Sequence, residues 1–500
     1  MCALPQPLLN PEIKYTQLFI DNKFVTAKDG TTFSVVNPSN GKELCKVSEA
    51  KEADVDVAVE AAKKAFEPKS EWRKMALKQR AHLLNKVADL IERDRAYLAT
   101  LESMNNGKVY SRVYLGDIQM VIDVFRYFAG WTDKLVGETI PVDEGFFAYT
   151  KNEPIGVCGA IIPWNVPLIM LAWKTAPCLA AGNTLVLKPA ELTPLTALYI
   201  ASLIKEAGFP AGVFNVVPGF GNIAGSALSH HMDVGKISFT GSTAVGRLVQ
   251  KAAADSNFKK VTLEMGGKSP NIIFPDADID YAVEMAHTAI FSHGGQICCA
   301  GARTFVHEDI YDEFVKKSIE RAKSRTIGDA MDLKVEQGPQ ISKAQQDKIL
   351  RLIEEGTTDG ACLRCGGGKM EELGGFYVQP TVITDLKDDM LLAKEEIFGP
   401  VQLIFKFKAV SEVIERANKT LYGLAAGVFT NDVNKAMAIA NGVCAGTVWV
   451  NCYFAMRPSV PFGGYKQSGI GRDLGEHALR SYTEVKSVIM KVSSPESLDS

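Results

Sequence analysis

TLVLKPAELTPLTALYIASLIKEAGFPAGVFNVVPGFGNIAGSALSHHMDVGKISFTGSTAVG, residues 184–246, decides the fold. Short apolar runs at Thr184–Leu187, Val213–Val217 and Lys236–Phe239 alternate with segments 195–207 and 243–253, whose apolar residues recur at helical spacing. Strands that alternate with helices build parallel βαβ units. Val157–Ile162 adds a strand upstream. A second alternating region starts near residue 269, with strands expected at Asn271–Phe274, Ala302–Val306, 379–384, 402–407 and 447–450, and helices at 278–290 and 310–324. Ahead of both regions, 53–67, 77–103 and 112–134 carry helical patterns. FFAYTKN at 146–152 alternates like a hairpin arm, and the tail SYTEVKSVIMKV has strand character. The expected class is α/β.

Composition narrows the partners. The 500 residues hold 55 Lys and Arg against 58 Asp and Glu, a net charge of −3, which removes the strong positive field of a nucleic-acid binder. Hydrophobic residues make up 46% and charged residues 23%, an ordinary globular balance in a chain long enough to bury a large core. The ten cysteines are scattered. Cys362-Leu-Arg-Cys365 is a lone C-x-x-C with no second pair, so it is expected to be a loop and no metal is expected. The first residues lack a secretory or transit pattern, and the most apolar stretch, 155–173, contains Pro163, Asn165 and Pro167. The expectation is a soluble cytoplasmic protein with no membrane span.

Several residues could carry chemistry. Gly219-Phe-Gly221-Asn-Ile-Ala-Gly225 and Gly241-Ser242-Thr243-Ala-Val-Gly246 each follow a strand and open a helix, a geometry that can hold a phosphate on backbone N–H groups. Neither matches the strict dinucleotide fingerprint, so each reads equally as a plain turn. Lys188-Pro-Ala-Glu191 follows a strand at the edge where ligands sit in open α/β sheets, and a carboxylate there suits ribose hydroxyls; a helix N-terminal salt bridge is the alternative. Cys298, in the Gly-rich HGGQICCAGA, is a nucleophile candidate. Glu264 in LEMGGKSP could be a general base, and Asn165 in PWNVP an oxyanion donor. A buried cysteine, a capping glutamate and a turn asparagine are the plainer readings of the three. Gly469-Ile-Gly471-Arg-Asp-Leu-Gly475 reads as structural.

Together the motifs PWN (163–165), KPAE (188–191), FTGST (239–243), EMGGKSPNIIF (264–274), GQICCAGARTFV (295–306), EEIFGPV (395–401) and PFGGYKQSG (461–469) closely resemble the aldehyde dehydrogenase superfamily. The tetrameric cytosolic and mitochondrial class that includes retinal dehydrogenases is the most similar. The resemblance runs from LFIDNKFV (18–25) to YTEVKSV (482–488). It implies NAD-dependent oxidation of an aldehyde to a carboxylic acid through a cysteine thiohemiacetal and thioester. Cys298 matches the nucleophile, Glu264 the base, and Asn165 the amide that forms the oxyanion hole with the Cys298 N–H. Lys188 and Glu191 match adenosine-ribose contacts, Trp164 and Ser242 pyrophosphate contacts, and Gln345, Glu396 and Phe398 contacts to the nicotinamide half. Gly221, Gly225 and Gly241 belong to the cofactor turns. The implied architecture is a Rossmann-like NAD domain (1–131 and 155–266), a catalytic domain (267–466) and an oligomerisation arm (136–154 and 480–492), assembled as a homotetramer, a dimer of dimers. Met120, Val166, Trp173, Ile297, Met456 and Phe462 match the substrate tunnel.

Some positions depart from the class. Val166 stands where an aromatic is usual, Ala244 where Glu is usual, and His293-Gly294 where Asn-Gln is usual. Asn222-Ile223 replaces the usual pair after the glycine turn, Asp473 replaces a proton-relay Glu, and Met456 and Arg457 change the tunnel mouth. The departures imply altered substrate choice, toward medium aliphatic or aromatic aldehydes rather than retinal. The alternative is a structural eye-lens role, as in the omega-crystallins of the same fold.

Overall fold

The computed structural model describes residues 4–493; Cys2 and most of the polar tail fall outside them. Two mixed sheets and a small arm organise the chain. The first sheet has eight strands in the order Gly469–Ile470, Lys260–Glu264, Lys236–Thr240, Val157–Ile161, Thr184–Lys188, Phe214–Val216, Leu18–Ile20 and Lys23–Val25. Its five central strands are parallel and its edges antiparallel. The central strands are almost wholly buried, which is why they read as continuous apolar runs and not as alternation. Helices Leu195–Ala207 and Thr243–Asp255 follow the runs at 184–188 and 236–240. Leu195–Ala207 stops at Gly208, whose φ of +100° a residue with a side chain would resist.

The second sheet runs Cys362–Cys365, Thr381–Thr384, Val401–Phe407, Arg303–His307, Pro270–Ile273, Ala425–Phe429 and Thr447–Val450. All its pairs are parallel except the first. The arm pairs Thr483–Lys491 with Phe146–Pro154 along nine residue pairs, and Thr139–Ile140 extends it. A hairpin, Thr32–Asn37 with Lys42–Ser48, lies apart from these.

Three expectations need correction. The C-x-x-C is not a loop: Cys362–Cys365 is an edge strand paired antiparallel with Thr381–Thr384, and both thiols are free. The helix expected over 77–103 is two, Leu77–Arg93 and Arg95–Asn106. They break at Asp94, whose carboxylate is drawn toward the Arg93 guanidinium and the Tyr199 hydroxyl, which donates to it at 2.9 Å. The helix expected over 112–134 starts at Tyr110, widens into a π-turn at Val113–Asp117 and ends at Ala129. Asp117, on that turn, forms a buried ion pair with Lys108 at 2.6 Å. No pattern had marked the helix Lys343–Thr358 or the strand Ala425–Phe429.

No helix among the described residues is long and apolar enough to cross a membrane.

Candidate active site

The site forms where the parallel strands of the first sheet end. Val157–Ile161 leads into Pro163-Trp164-Asn165, Thr184–Lys188 ends on Lys188, Lys236–Thr240 precedes Gly241-Ser242, and Lys260–Glu264 ends on Glu264. Register keeps these ends level, with Ile161 opposite Lys188 and Thr240 opposite Glu264. A parallel sheet thus delivers residues about 100 positions apart to one edge. Cys298 comes from the other region, in the turn between helix Ile279–Phe291 and strand Arg303–His307, and is half-buried.

Asn165 links the two. It is buried, and its Nδ2 donates to the carbonyl of Gln296 at 2.8 Å, two residues before Cys298. One N–H of that amide carries the bond, and the other is free for a ligand oxygen. Glu264 is also buried, and neither carboxylate oxygen has a hydrogen-bond partner. Burial first, then the negative charge of Asp473, holds its carboxyl well above the usual range, and Cys298 contributes in the same direction. A buried carboxylate without partners is costly, and the raised pKa is the physical response, since the neutral acid carries the smaller penalty. Gly463 makes room for it: a Cβ there would stand 2.6 Å from Glu264 Oε1. Behind the site Lys174 and Asp473 form a buried ion pair.

Glycines let the loops interlock around Cys298. A Cβ on Gly267 would collide with the Cys298 carbonyl, one on Gly266 with the Glu396 carboxylate, and one on Gly295 with the Gly399 carbonyl. The Gly267 N–H donates to Glu396 Oε1 at 3.0 Å, and burial pushes the Glu396 carboxyl up to about 7. His293 and Gly294 both adopt left-handed backbone, at φ 50° and 60°. A side chain on Gly294 would also meet the flexible Gln340 amide, at 2.6 Å from its Nε2, so the glycine that replaces the usual Gln eases this turn and leaves Gln340 in place. Burial, then Lys108, pushes the His293 imidazole well below the usual histidine range, so the buried ring is neutral.

On the cofactor side, Lys188 is buried and its Nζ donates to the Pro189 carbonyl at 2.9 Å and lies 3.5 Å from Glu191 Oε2. Burial lowers the pKa of this lysine. Glu191 keeps about a third of its side chain exposed. Ser242 caps helix Thr243–Asp255, its Oγ accepting from the Val245 N–H at 3.3 Å. Gly221 has no atom within 4 Å of a built Cβ, and Gly225 only ordinary contact with Lys188, so the glycine needed for close packing is Gly219, against the Ala50 carbonyl at 2.7 Å. Trp164 and Phe398 meet edge to face at 5.3 Å. Phe398 is held at φ 58°, and Gln345 Nε2 donates to its carbonyl at 2.9 Å. These groups suit a dinucleotide: a buried cation, a carboxylate for a diol, and an exposed helix start with open space beside Gly221.

The tunnel candidates share one apolar cluster with Cys298. Trp173 and Phe462 are buried and meet edge to face at 5.3 Å. Met120, Val166, Ile297 and Met456 are half-buried and pack, with Cys298, against the same apolar cluster. Sequence patterns had not singled out Lys174, Gly463 or Lys268. Lys268 is buried without a partner for its Nζ, and burial brings its pKa down to about 7. Gly463 and Lys268 lay inside quoted motifs, whereas Lys174 had no signal beyond a charge inside an apolar helix.

The aldehyde dehydrogenase family profile matches residues 24–488. Human retinal dehydrogenase 2 is 57% identical over 489 residues, covering 98% of this chain and 94% of that protein. Rat cytosolic aldehyde dehydrogenase 1 is 57% identical over 491 residues, covering 98% of each. The NAD+ complex of an aldehyde dehydrogenase from Bacillus cereus superposes with a TM-score of 0.94 at 49% identity, over 96% of this chain and 97% of that one. The level strand ends, the interlocked turn around Cys298 and these likenesses lead to one conclusion: this chain belongs to the aldehyde dehydrogenase family.

Proposed function

We propose that Cys298, Glu264 and Asn165 carry out the family's reaction in this chain, the NAD-dependent oxidation of an aldehyde to a carboxylic acid. What supports this most is the bond from Asn165 to Gln296, two residues before Cys298, together with the buried Glu264, whose oxygens are both unpaired and whose charge acts on Cys298. The Cys298 sulfur adds to the aldehyde carbon, and the carbonyl electron pair moves to oxygen. The free N–H of Asn165 and the Cys298 backbone N–H stabilise that oxyanion. A bound NAD would supply the hydride acceptor, and loss of hydride from the adduct's carbon leaves a thioester on Cys298. Glu264 then takes a proton from water, the water oxygen attacks the thioester, and the carbon–sulfur bond breaks to release the acid.

Lys188, Glu191, Ser242, Trp164, Gly221, Gly225 and Gly241 would hold the adenosine and pyrophosphate half of NAD. Glu396, Phe398 and Gln345 would hold the nicotinamide half. The exposed part of Glu191 favours NAD, since a 2′-phosphate there would meet a like charge. Met120, Val166, Trp173, Ile297, Met456 and Phe462 would line the tunnel, and the loosened wall at Val166 suits medium aliphatic or aromatic aldehydes over retinal. Residues 1–131 with 155–266 would form the NAD domain and 267–466 the catalytic domain. The arm, 136–154 with 480–492, exposes Phe146, Phe147, Val485, Ile489 and Met490, an apolar surface that suits assembly into a homotetramer. A cytoplasmic site of action agrees with the likeness to the rat cytosolic enzyme. The dehydrogenase relatives favour catalysis over the lens role.

The test is NADH formation with acetaldehyde, hexanal and retinal. Activity highest with hexanal and lost in Cys298→Ala supports the proposal. A folded protein silent with all three overturns it.

A further inference from the structure

Helix Arg95–Asn106 carries three polar residues, Glu102, Asn105 and Asn106, each no more than 1% exposed. At spacings of three and four they share one face. Buried polar groups in such a place are costly unless paired, and here most of their partners lie in the two loops of the candidate site or in the first turn of the helices that follow them. Asn106 Nδ2 donates to the carbonyls of Trp164 at 2.8 Å and Asn165 at 2.9 Å. Its Oδ1 accepts from the Lys108 N–H at 3.0 Å, so the amide cannot flip without losing all three bonds. Glu102 accepts from the Leu168 N–H at 3.1 Å, in the first turn of helix Pro167–Ala180, and from the Thr196 hydroxyl at 2.7 Å. Asn105 Nδ2 donates to the Leu192 carbonyl at 2.9 Å, and its Oδ1 accepts from the Leu195 N–H at 3.3 Å.

The backbone on both sides of the Asn165 side chain is therefore held from this helix, with Asn106 before it and Glu102 after it. The segment that follows Lys188–Glu191 is held by Asn105 and, through Thr196, by Glu102. His293 borders the same junction, its Nε2 lying 3.4 Å from Asn106 Nδ2, whose two N–H groups already serve the Trp164 and Asn165 carbonyls.

We propose that Asn106 is the positioning residue for the oxyanion amide of Asn165, and Asn105 that for the Lys188–Glu191 ribose loop. One rigid turn of helix would set both halves of the site. This rests on the roles proposed above for Asn165, Lys188 and Glu191. It does not depend on which aldehyde is the substrate.

Two readouts separate the halves in the full-length protein. Hydrolysis of p-nitrophenyl acetate needs the sulfur and the oxyanion donors but no cofactor, because an ester already has the oxidation level of the acid. NAD affinity reads the ribose loop. Asn106→Asp keeps the shape but turns two donors into acceptors facing carbonyls. It lowers kcat for ester hydrolysis by tenfold or more with KM changed less than threefold. Asn105→Asp acts chiefly on NAD, raising its Kd fivefold or more. A merely structural role would instead lower both readouts together, in step with the folded fraction. If Asn106→Asp does not fold, Asn106→Ser, with one donor in place of two, carries the same expectation. A folded Asn106 variant with unchanged ester kcat, or two variants that lose both readouts in parallel, overturns the inference. Asn165→Ala distinguishes the underlying reading: if its ester kcat is also unchanged, the oxyanion role itself has failed, and if it alone is impaired, only the positioning role has.

Discussion

The carbonyl oxygen of Cys298 occupies the space that a Cβ on Gly267 would fill. The nucleophile's backbone is thus seated directly on the turn that follows Glu264, and the same turn donates its N–H to Glu396. Gly267→Ala must push the Cys298 turn away or break that bond. A displacement near 1 Å at a reacting group costs on the order of 100-fold in rate. The expected outcome is a kcat for aldehyde oxidation lower by about that factor in a folded protein. A variant with wild-type kcat would show that the contact has no bearing on the chemistry.

Glu264 must be ionised to accept a proton from water. Its pKa is raised by burial and by the like charge of Asp473, so the base form is favoured only as pH rises. Asp473→Asn removes that charge and leaves the Lys174 ammonium without its partner, and both changes favour the carboxylate. The rising limb of the kcat–pH profile should therefore move to lower pH. A limb that stays in place or moves upward in the variant contradicts the assignment of Glu264 as the base.

Cofactor preference rests on one carboxylate. Glu191→Gln keeps hydrogen-bonding capacity and removes the charge that opposes a 2′-phosphate. The ratio of kcat/KM for NADP over NAD should rise about tenfold, a change of roughly 1.4 kcal/mol of discrimination. An unchanged ratio would place the adenosine ribose elsewhere.

The buried Glu102 carboxyl is pushed up by burial to about 7, from 4.5 in the unfolded chain. Between those values the folded state binds the extra proton, so this group's contribution to stability falls as pH rises from about 4.5 to 7 and is constant above it. At about 1.4 kcal/mol per pKa unit the effect is at most about 3 kcal/mol. Glu102→Gln should flatten the dependence of the urea midpoint on pH across this window. The same slope in variant and parent would mean that other groups set it.

Much of this was open to a reader of the sequence because chemistry and strand ends coincide. KPAE, PWN and FTGST each follow an apolar run, and a parallel sheet brings such ends together regardless of their separation. The Cys298 turn announced itself by its glycines. Other features depend on contacts between distant residues and leave no local trace. Lys174 and Asp473 stand 299 positions apart. Asn106 looks like an ordinary helix end before Gly107, and nothing near it in the chain names Trp164 as its partner. The break at Asp94 was hidden because apolar spacing continues across it, and the pull on its carboxylate comes from Tyr199. The edge strand at Cys362–Cys365 was missed because it is short and two of its four residues are exposed.

The strand Gly469–Ile470 pairs with Leu263 and Glu264 at the edge of the first sheet, after the chain has completed the second. During synthesis, then, the sulfur and the carboxylate emerge long before the segment that borders them. A ribosome that has reached residue 460 has already made Cys298, Glu264 and Asn165, yet Gly463 and the closing edge strand are still to come. The edge beside Glu264 can therefore close only after residues 463–470 have been added to the chain.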